Sequence, residues 1–137
     1  MTPISVERYR AVLAKQSFSV LLGTAIDAVE EGRAVLSLPI KAELLQQHGF
    51  VHGGAIAYLA DNALTCAGST LLGDSLTAEF KINFVRPAIG PGSLIAEAVS
   101  VAQGKTQAVC RCDIYVVRED HRKLCAVAQG TIRKIEK

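Results

Sequence analysis

From Leu76 to Phe84 the chain alternates: Leu76, Ala78, Phe80, Ile82 and Phe84 are apolar, and Thr77, Glu79, Lys81 and Asn83 between them are polar. A period of two predicts a half-buried strand. The rhythm returns where Ala108, Cys110, Cys112, Ile114 and Val116 line one face and Gln107, Arg111 and Asp113 the other. Residues 94–103 and 123–135 complete four consecutive strands, separated by turn residues at 87–92, Gly104-Lys105 and 119–122. Upstream, residues 19–29 and 33–40 predict a hairpin turning at Glu30-Glu31-Gly32, and Pro39 suits the end of an edge strand.

The period becomes helical in two places. Val6, Tyr9, Val12 and Leu13 recur at helical spacing, with Glu7, Arg8 and Lys15 on the other side, and predict a helix over residues 3–17. Residues 41–51 form a short turn or helix. A longer run rich in alanine and leucine predicts a central helix over residues 53–72. The order of elements points to an α+β fold, an antiparallel sheet packed on a helix. With no internal repeat, linker or low-complexity segment, residues 1–137 make a single domain.

Chemistry enters at the start of the central helix. Glycine is a poor helix former, so Gly53 and Gly54 mark its N-terminus. Unpaired backbone N–H groups and the positive end of the dipole can hold a developing oxyanion there. One carboxylate, Asp61, lies two turns in. At 3.6 residues per turn it stands within about 20° of Gly54 and Gly68, with Ile56, Leu59, Ala63, Cys66, Ala67 and Thr70 on the opposite side. An isolated Asp on an amphipathic helix ordinarily sits at the solvent edge. Near a core, a lone charge is costly unless paired or used. A donor-lined helix start with a carboxylate two turns on is an arrangement suited to acyl transfer.

His52-Gly53-Gly54, six residues, then Asp61, preceded by Gln46-Gln47-His48-Gly49 and followed by Asn83-Phe84-Val85-Arg86-Pro87-Ala88, resembles the hotdog-fold acyl-CoA thioesterases. With the segment Gln103-Gly104-Lys105-Thr106 the likeness is to the PaaI-like (phenylacetyl-CoA thioesterase) branch, over residues 20–135. The resemblance implies a hotdog fold, in which the antiparallel sheet wraps around the long central helix. It also implies a homodimer whose sheets join edge to edge, paired active sites at the subunit interface, and pairing of dimers into a dimer of dimers.

By the same resemblance the reaction is hydrolysis of an aryl- or medium-chain acyl-CoA to free acid and CoA. Asp61 is then the general base or nucleophile, and it faces the thioester from the opposing subunit. The Gly53 backbone N–H polarises the carbonyl. Gln46 matches a position where relatives often carry Asn, and it has the same donor with one methylene more reach. Thr77 matches a position that can carry Ser near the nucleophile, where a hydroxyl could steer the water. His52 invites a catalytic role, weighed against orienting the loop or packing at the interface. Phe84, Val85, Arg86 and Pro87 on one segment, and Gln103, Gly104, Lys105 and Thr106 on another, match stretches touching CoA. Arg86 and Lys105 are their cations, and Gly104 lets the backbone approach closely. CoA is part of the substrate, and no separate cofactor is expected.

Two readings compete. A hotdog dehydratase or hydratase acting on acyl-ACP or acyl-CoA relies on a catalytic His with a carboxylate, and that His-centred motif is missing here. A non-catalytic acyl-CoA binding module has no need of Asp61 beside intact glycines.

Composition narrows the partners. Half of the 137 residues are hydrophobic but only 5% are aromatic, with no Trp, so Ala, Val, Leu and Ile fill the core. A net charge of +2 is too small to indicate nucleic acid. No run approaches the ~18 apolar residues of a membrane span, and the polar stretch 2–15 does not read as a signal peptide. The cytoplasm is the expected compartment. Cys66, Cys110, Cys112 and Cys125 lack the spacing and His partners of a zinc site. They are expected to act as small buried hydrophobes, with no metal and no disulfide.

Overall fold

Helix α3, Gly53–Leu72, is the axis of the molecule, and all six strands of one antiparallel sheet pack against it. The computed structural model describes residues 4–136. The other elements are α1 (Val6–Leu13), α2 (Ser17–Leu22), β1 (Ala25–Glu30), β2 (Arg33–Pro39), β3 (Ser75–Phe84), β4 (Ser93–Gln103), β5 (Gln107–Arg118) and β6 (His121–Lys134), with a 3-10 turn at Ala42–Leu44. The sheet order is β1-β2-β4-β5-β6-β3, so β1 and β3 are its edges. This is the α+β arrangement that the order of elements predicts, and the hotdog fold that the family resemblance implies.

Small side chains make the wrapping possible. Ala60, Ala63, Ala67 and Gly68 of α3 are buried, and so are Ala96, Ala98, Cys110 and Cys112 on the facing strands. At Gly68 an added Cβ would stand 2.8 Å from the Cβ and Cγ2 of Ile132. That closeness brings the helix down onto β6. Gly68 and Asp61 lie within about 20° of each other around α3, as the helical spacing predicts, and both meet the sheet.

Several expectations change. The first helix covers only Val6–Leu13, and the expected start at Pro3 lies outside the described residues. Residues 17–22 form α2, where a strand from residue 19 was expected. Ser19 is buried and joins Tyr58 and Asn62 of α3 through its hydroxyl, at 2.6 Å and 3.0 Å. Gly23, at φ +86°, then ends the helix. Polar anchoring overrides the apolar run of Val20, Leu21 and Leu22.

Pro39 does not end an edge strand, because β2 lies between β1 and β4. Pairing with β1 stops at Ser37, however, so Pro39 has a strand on one side only, opposite Ser93. The missing N–H therefore costs no ladder bond on the open side. The expected charged turn at 119–122 shrinks to Glu119 and Asp120, since His121 and Arg122 already pair in β6.

The largest departure is in β3. Its register with β6 shifts between Thr77 and Glu79, which leaves Ala78 as an extra, unpaired residue. A bulge reverses which way the side chains before it point. Leu76 therefore turns outward and is 64% exposed. Thr77, expected on the polar face with Glu79 and Lys81, turns toward α3 instead.

Candidate active site

Asp61 sits half-buried on α3, and its carboxylate meets one hydroxyl, which a second hydroxyl supports. Thr77 Oγ1 donates to Asp61 Oδ1 at 2.5 Å. Thr65, one turn along the helix from Asp61, places its Oγ1 2.7 Å from Thr77 Oγ1 and 2.9 Å from the Asp61 carbonyl oxygen. Each hydroxyl has one proton. With the Thr77 proton on the carboxylate, the Thr77 oxygen can only accept, so Thr65 donates to it while sharing that proton with the carbonyl. The carboxylate is thus held from the sheet, and a charge-assisted hydrogen bond of this kind is about twice as strong as a neutral one. The second carboxylate oxygen makes no hydrogen bond among the described residues.

The helix start is organised by His52. Its Nδ1 accepts the Gly54 N–H at 2.8 Å, and its carbonyl oxygen accepts from Ala55 at 2.9 Å and Ile56 at 3.4 Å. A side-chain acceptor at this position satisfies one orphan donor of the first turn. Of the first four N–H groups of α3, only that of Gly53 has no partner among the described residues. Gly53 also lies against the Phe84 ring, where an added Cβ would be 3.4 Å from Cζ. His52 is therefore placed as a helix cap that leaves one donor open beside it.

Gln46 lies in the loop 45–51, closed by a bridge between Leu45 and Val51. Its backbone N–H donates to Phe50, and its side-chain oxygen accepts from the His48 N–H at 2.5 Å. The oxygen is committed to the loop, which leaves the amide NH2 as the available donor.

The two segments expected to touch CoA lie at opposite ends of the sheet. Ala126 pairs with Phe84, and residues 85–89 run back from there to Val51, which donates to Ala88 at 2.9 Å. The turn 103–106 caps β4 and β5 at the other end, where Gln107 pairs with Arg133 and Arg133 with Leu76. Phe84 is thus level with Ile114, seven residues of β5 from Gln107, roughly 23 Å. Within one protomer, Arg86 and Pro87 do not meet Lys105 and Thr106. Gly53 and Asp61 are eight residues apart on one helix, about 12 Å along its axis, too far to act on one carbonyl.

The sequence pattern of the family described as Thioesterase superfamily matches residues 48–125. The chain belongs to the thioesterase superfamily. As a thioester hydrolase it is similar to the acyl-coenzyme A thioesterase PaaI of Escherichia coli, 32% identical over 114 residues that cover 83% of this chain and 79% of that protein. In structure it is similar to a thioesterase family protein from Silicibacter pomeroyi, with a TM-score of 0.87, 32% identity and coverage of 93% and 95% of the two chains. The solved E. coli PaaI protein, from the phenylacetic acid degradation operon, also has a TM-score of 0.87, at 27% identity and coverage of 95% and 92%. Among the described residues of this thioesterase, no three His, Cys, Asp or Glu side chains gather as a metal site would need. No helix among them is long and apolar enough to cross a membrane.

Sequence inspection missed Thr65. Its signal was present as a Thr one turn after the lone Asp of α3, but only the bulge in β3 brings Thr77 to meet it. It also missed the basic residues Arg118, His121 and Lys123. They line a groove with Arg86, although 32 or more residues separate them from it in the chain.

Proposed function

We propose that this thioesterase hydrolyses acyl-CoA thioesters with aryl or medium-chain acyl groups, in a site completed by a second copy of the chain. Asp61 acts as general base or nucleophile from one protomer, and the Gly53 N–H of the other polarises the carbonyl. In the base route Asp61 takes a proton from water as the water oxygen bonds to the carbonyl carbon. The negative charge that develops on the carbonyl oxygen is met by Gly53 at the positive end of α3. Collapse breaks the C–S bond, and the CoA thiolate takes a proton as it leaves. Thr77 aims the carboxylate, and the Gln46 amide is a further donor toward the thioester.

The observation that carries this reading is the pair of separations within one chain. Gly53 and Asp61 are about 12 Å apart, and the Arg86 and Lys105 segments are at opposite ends of the sheet. Edge strand β3 offers the remedy. It spans ten residues and leaves Leu76 and Phe84 more than half exposed, and an open edge of that kind invites pairing with another strand. Antiparallel pairing with a second β3 sets the Phe84 end of one protomer beside the Ser75 end of the other. Phe84, Val85, Arg86 and Pro87 then approach the partner copy's 103–106 turn.

The acyl-CoA thioesterase PaaI among the relatives supports the substrate class. The test is thiol release from a panel of acyl-CoAs, aryl and aliphatic of graded length, followed with a thiol-reactive dye. Release that is fastest with aryl or medium-chain members is expected, and no release from any member would overturn the reading.

A further inference from the structure

We infer that the open edge of β3 pairs with β3 of a second copy in one charge-selected register, with Phe80 facing Phe80 at the two-fold axis and Glu79 facing Lys81 on either side. This rests on the two-copy reading of the site above and adds what selects the register. Glu79, Lys81 and Asn83 are exposed on the outer face of the strand, and Phe80 and Ile82 are half-buried on the inner face. β6 pairs with one side of β3, and no strand among the described residues pairs with the other.

Two identical strands that meet antiparallel about a two-fold axis can slide only in steps that keep like faces together. A slip of one residue sets an inner face against an outer one. The registers that remain differ in the charges they bring opposite each other. With Phe80 at the axis, Glu79 of each copy faces Lys81 of the other, and two opposite-charge pairs form. With Lys81 at the axis the two lysines face each other, and with Glu79 there the two glutamates do. Directly opposed like charges destabilise a strand pair, and opposite charges stabilise it. With Ile82 at the axis, Lys81 faces Asn83, and Glu79 meets only Val85, beyond the strand end at Phe84.

Both charges are open to a partner. Glu79 accepts the Thr131 hydroxyl at 2.9 Å, and neither Glu79 nor Lys81 has an ion pair among the described residues. The neighbour of Lys81 on β6 is Gln129, which is neutral. Phe80 packs partly on the core, and at the axis it meets its own copy as a cross-strand aromatic pair.

The same register brings the two halves of the site together. Thr77, whose hydroxyl holds Asp61, comes beside Asn83 of the second copy. The next residue there, Phe84, has its ring against Gly53. A slip of two residues in either direction displaces that Phe84 by about 7 Å, far more than reacting groups tolerate. Charge pairing and completion of the site select one register.

The experiment uses three full-length variants: Glu79→Lys, Lys81→Glu and the exchange Glu79→Lys/Lys81→Glu. Dimer dissociation is measured by sedimentation over a dilution series at low salt, where exposed charges are least screened, alongside thiol release from an acyl-CoA. Each single variant sets like charges opposite each other and should raise the dimer dissociation constant about tenfold or more. The exchange restores both pairs and should dimerise within about threefold of wild type. An exchange as weak as Glu79→Lys would mean that loss of the Thr131 bond is responsible, and would overturn the inference. Mixing the two single variants gives the sharpest reading, because each supplies the charge the other lacks. Heterodimers should exceed the statistical half and recover thiol release that either variant alone has lost at the same dilution. Single variants that dimerise like wild type, or a mixture with no excess of heterodimer, would also overturn the register. Charge-dependent dimers that release no thiol from any acyl-CoA remove the hydrolysis and keep the interface. Full activity from dimers indifferent to these charges removes the register and leaves the function standing.

Discussion

Thr77 reaches Asp61 through a bulge: one extra residue, Ala78, turns its hydroxyl inward to donate at 2.5 Å to the carboxylate on α3. The bond ties an edge strand to the central helix at the proposed catalytic group. Thr77→Val keeps the shape and removes the donor, and a hydrogen bond to a charged group is worth about 1.5–3 kcal/mol. We expect kcat to fall about tenfold or more, with KM little changed. Thr77→Ser should stay within about threefold of wild type, because it restores the hydroxyl. Equal activity of the Val and Ser variants would mean that the hydroxyl does not aim the carboxylate.

Gly130 permits β3 to lie where it does. A Cβ there would stand 2.5 Å from Phe80 Cβ and press on the Glu79 carbonyl oxygen, so the backbone itself has to shift. Gly130→Ala is expected to cost about 1–3 kcal/mol or more and to lower activity by displacing Thr77. Gly104→Ala meets only the Gln107 oxygen, at 3.8 Å, and should leave the melting temperature near wild type. Equal melting temperatures for the two variants would contradict this account of β3.

The buried thiols make stability sensitive to alkali. Burial raises Cys66, Cys110 and Cys125 from 9.0 to about 11, and it also pushes Cys112 upward. Above about pH 9 the unfolded chain loses thiol protons that the folded chain keeps. Stability therefore falls as pH rises from about 9 to about 11. Melting temperatures measured from pH 8 to 10.5 should decline, and Cys110→Ala/Cys125→Ala should show a shallower slope. An unchanged slope would mean that these thiols do not contribute.

The proposed site needs two copies of the chain. Sedimentation should give a dimer or a pair of dimers at concentrations where the enzyme is active, and dilution to monomer should abolish turnover. A fully active monomer would require Gly53 and Asp61 of one chain to act together despite their separation.

Much of this was legible in the sequence. The span of α3 follows from its glycine pair and alanine-rich run, and the alternation of Ala108, Cys110, Cys112 and Ile114 marks the buried face of β5. The bulge was not legible, because Leu76 to Phe84 alternates without interruption and nothing local marks Ala78 as extra. Only pairing with β6 reveals it. Likewise Ser17–Leu22 has the apolar content of a strand, and its helical state depends on Ser19 meeting Tyr58 and Asn62 from far along the chain. The groove lining escaped notice because cross-strand register, not sequence spacing, brings Lys123 beside Val116 and Arg86.

The most direct test is Asp61→Asn, with kcat and melting temperature measured on the same preparation. The amide keeps the size and an acceptor for Thr77 but cannot take a proton or attack. General base catalysis contributes typically about 10²–10⁴-fold, so kcat should fall at least about a hundredfold while substrate still binds. Stability should hold or rise as a partly buried charge is removed. A variant that melts early yet turns over near the wild-type rate would show Asp61 to be a structural group and would contradict the mechanism.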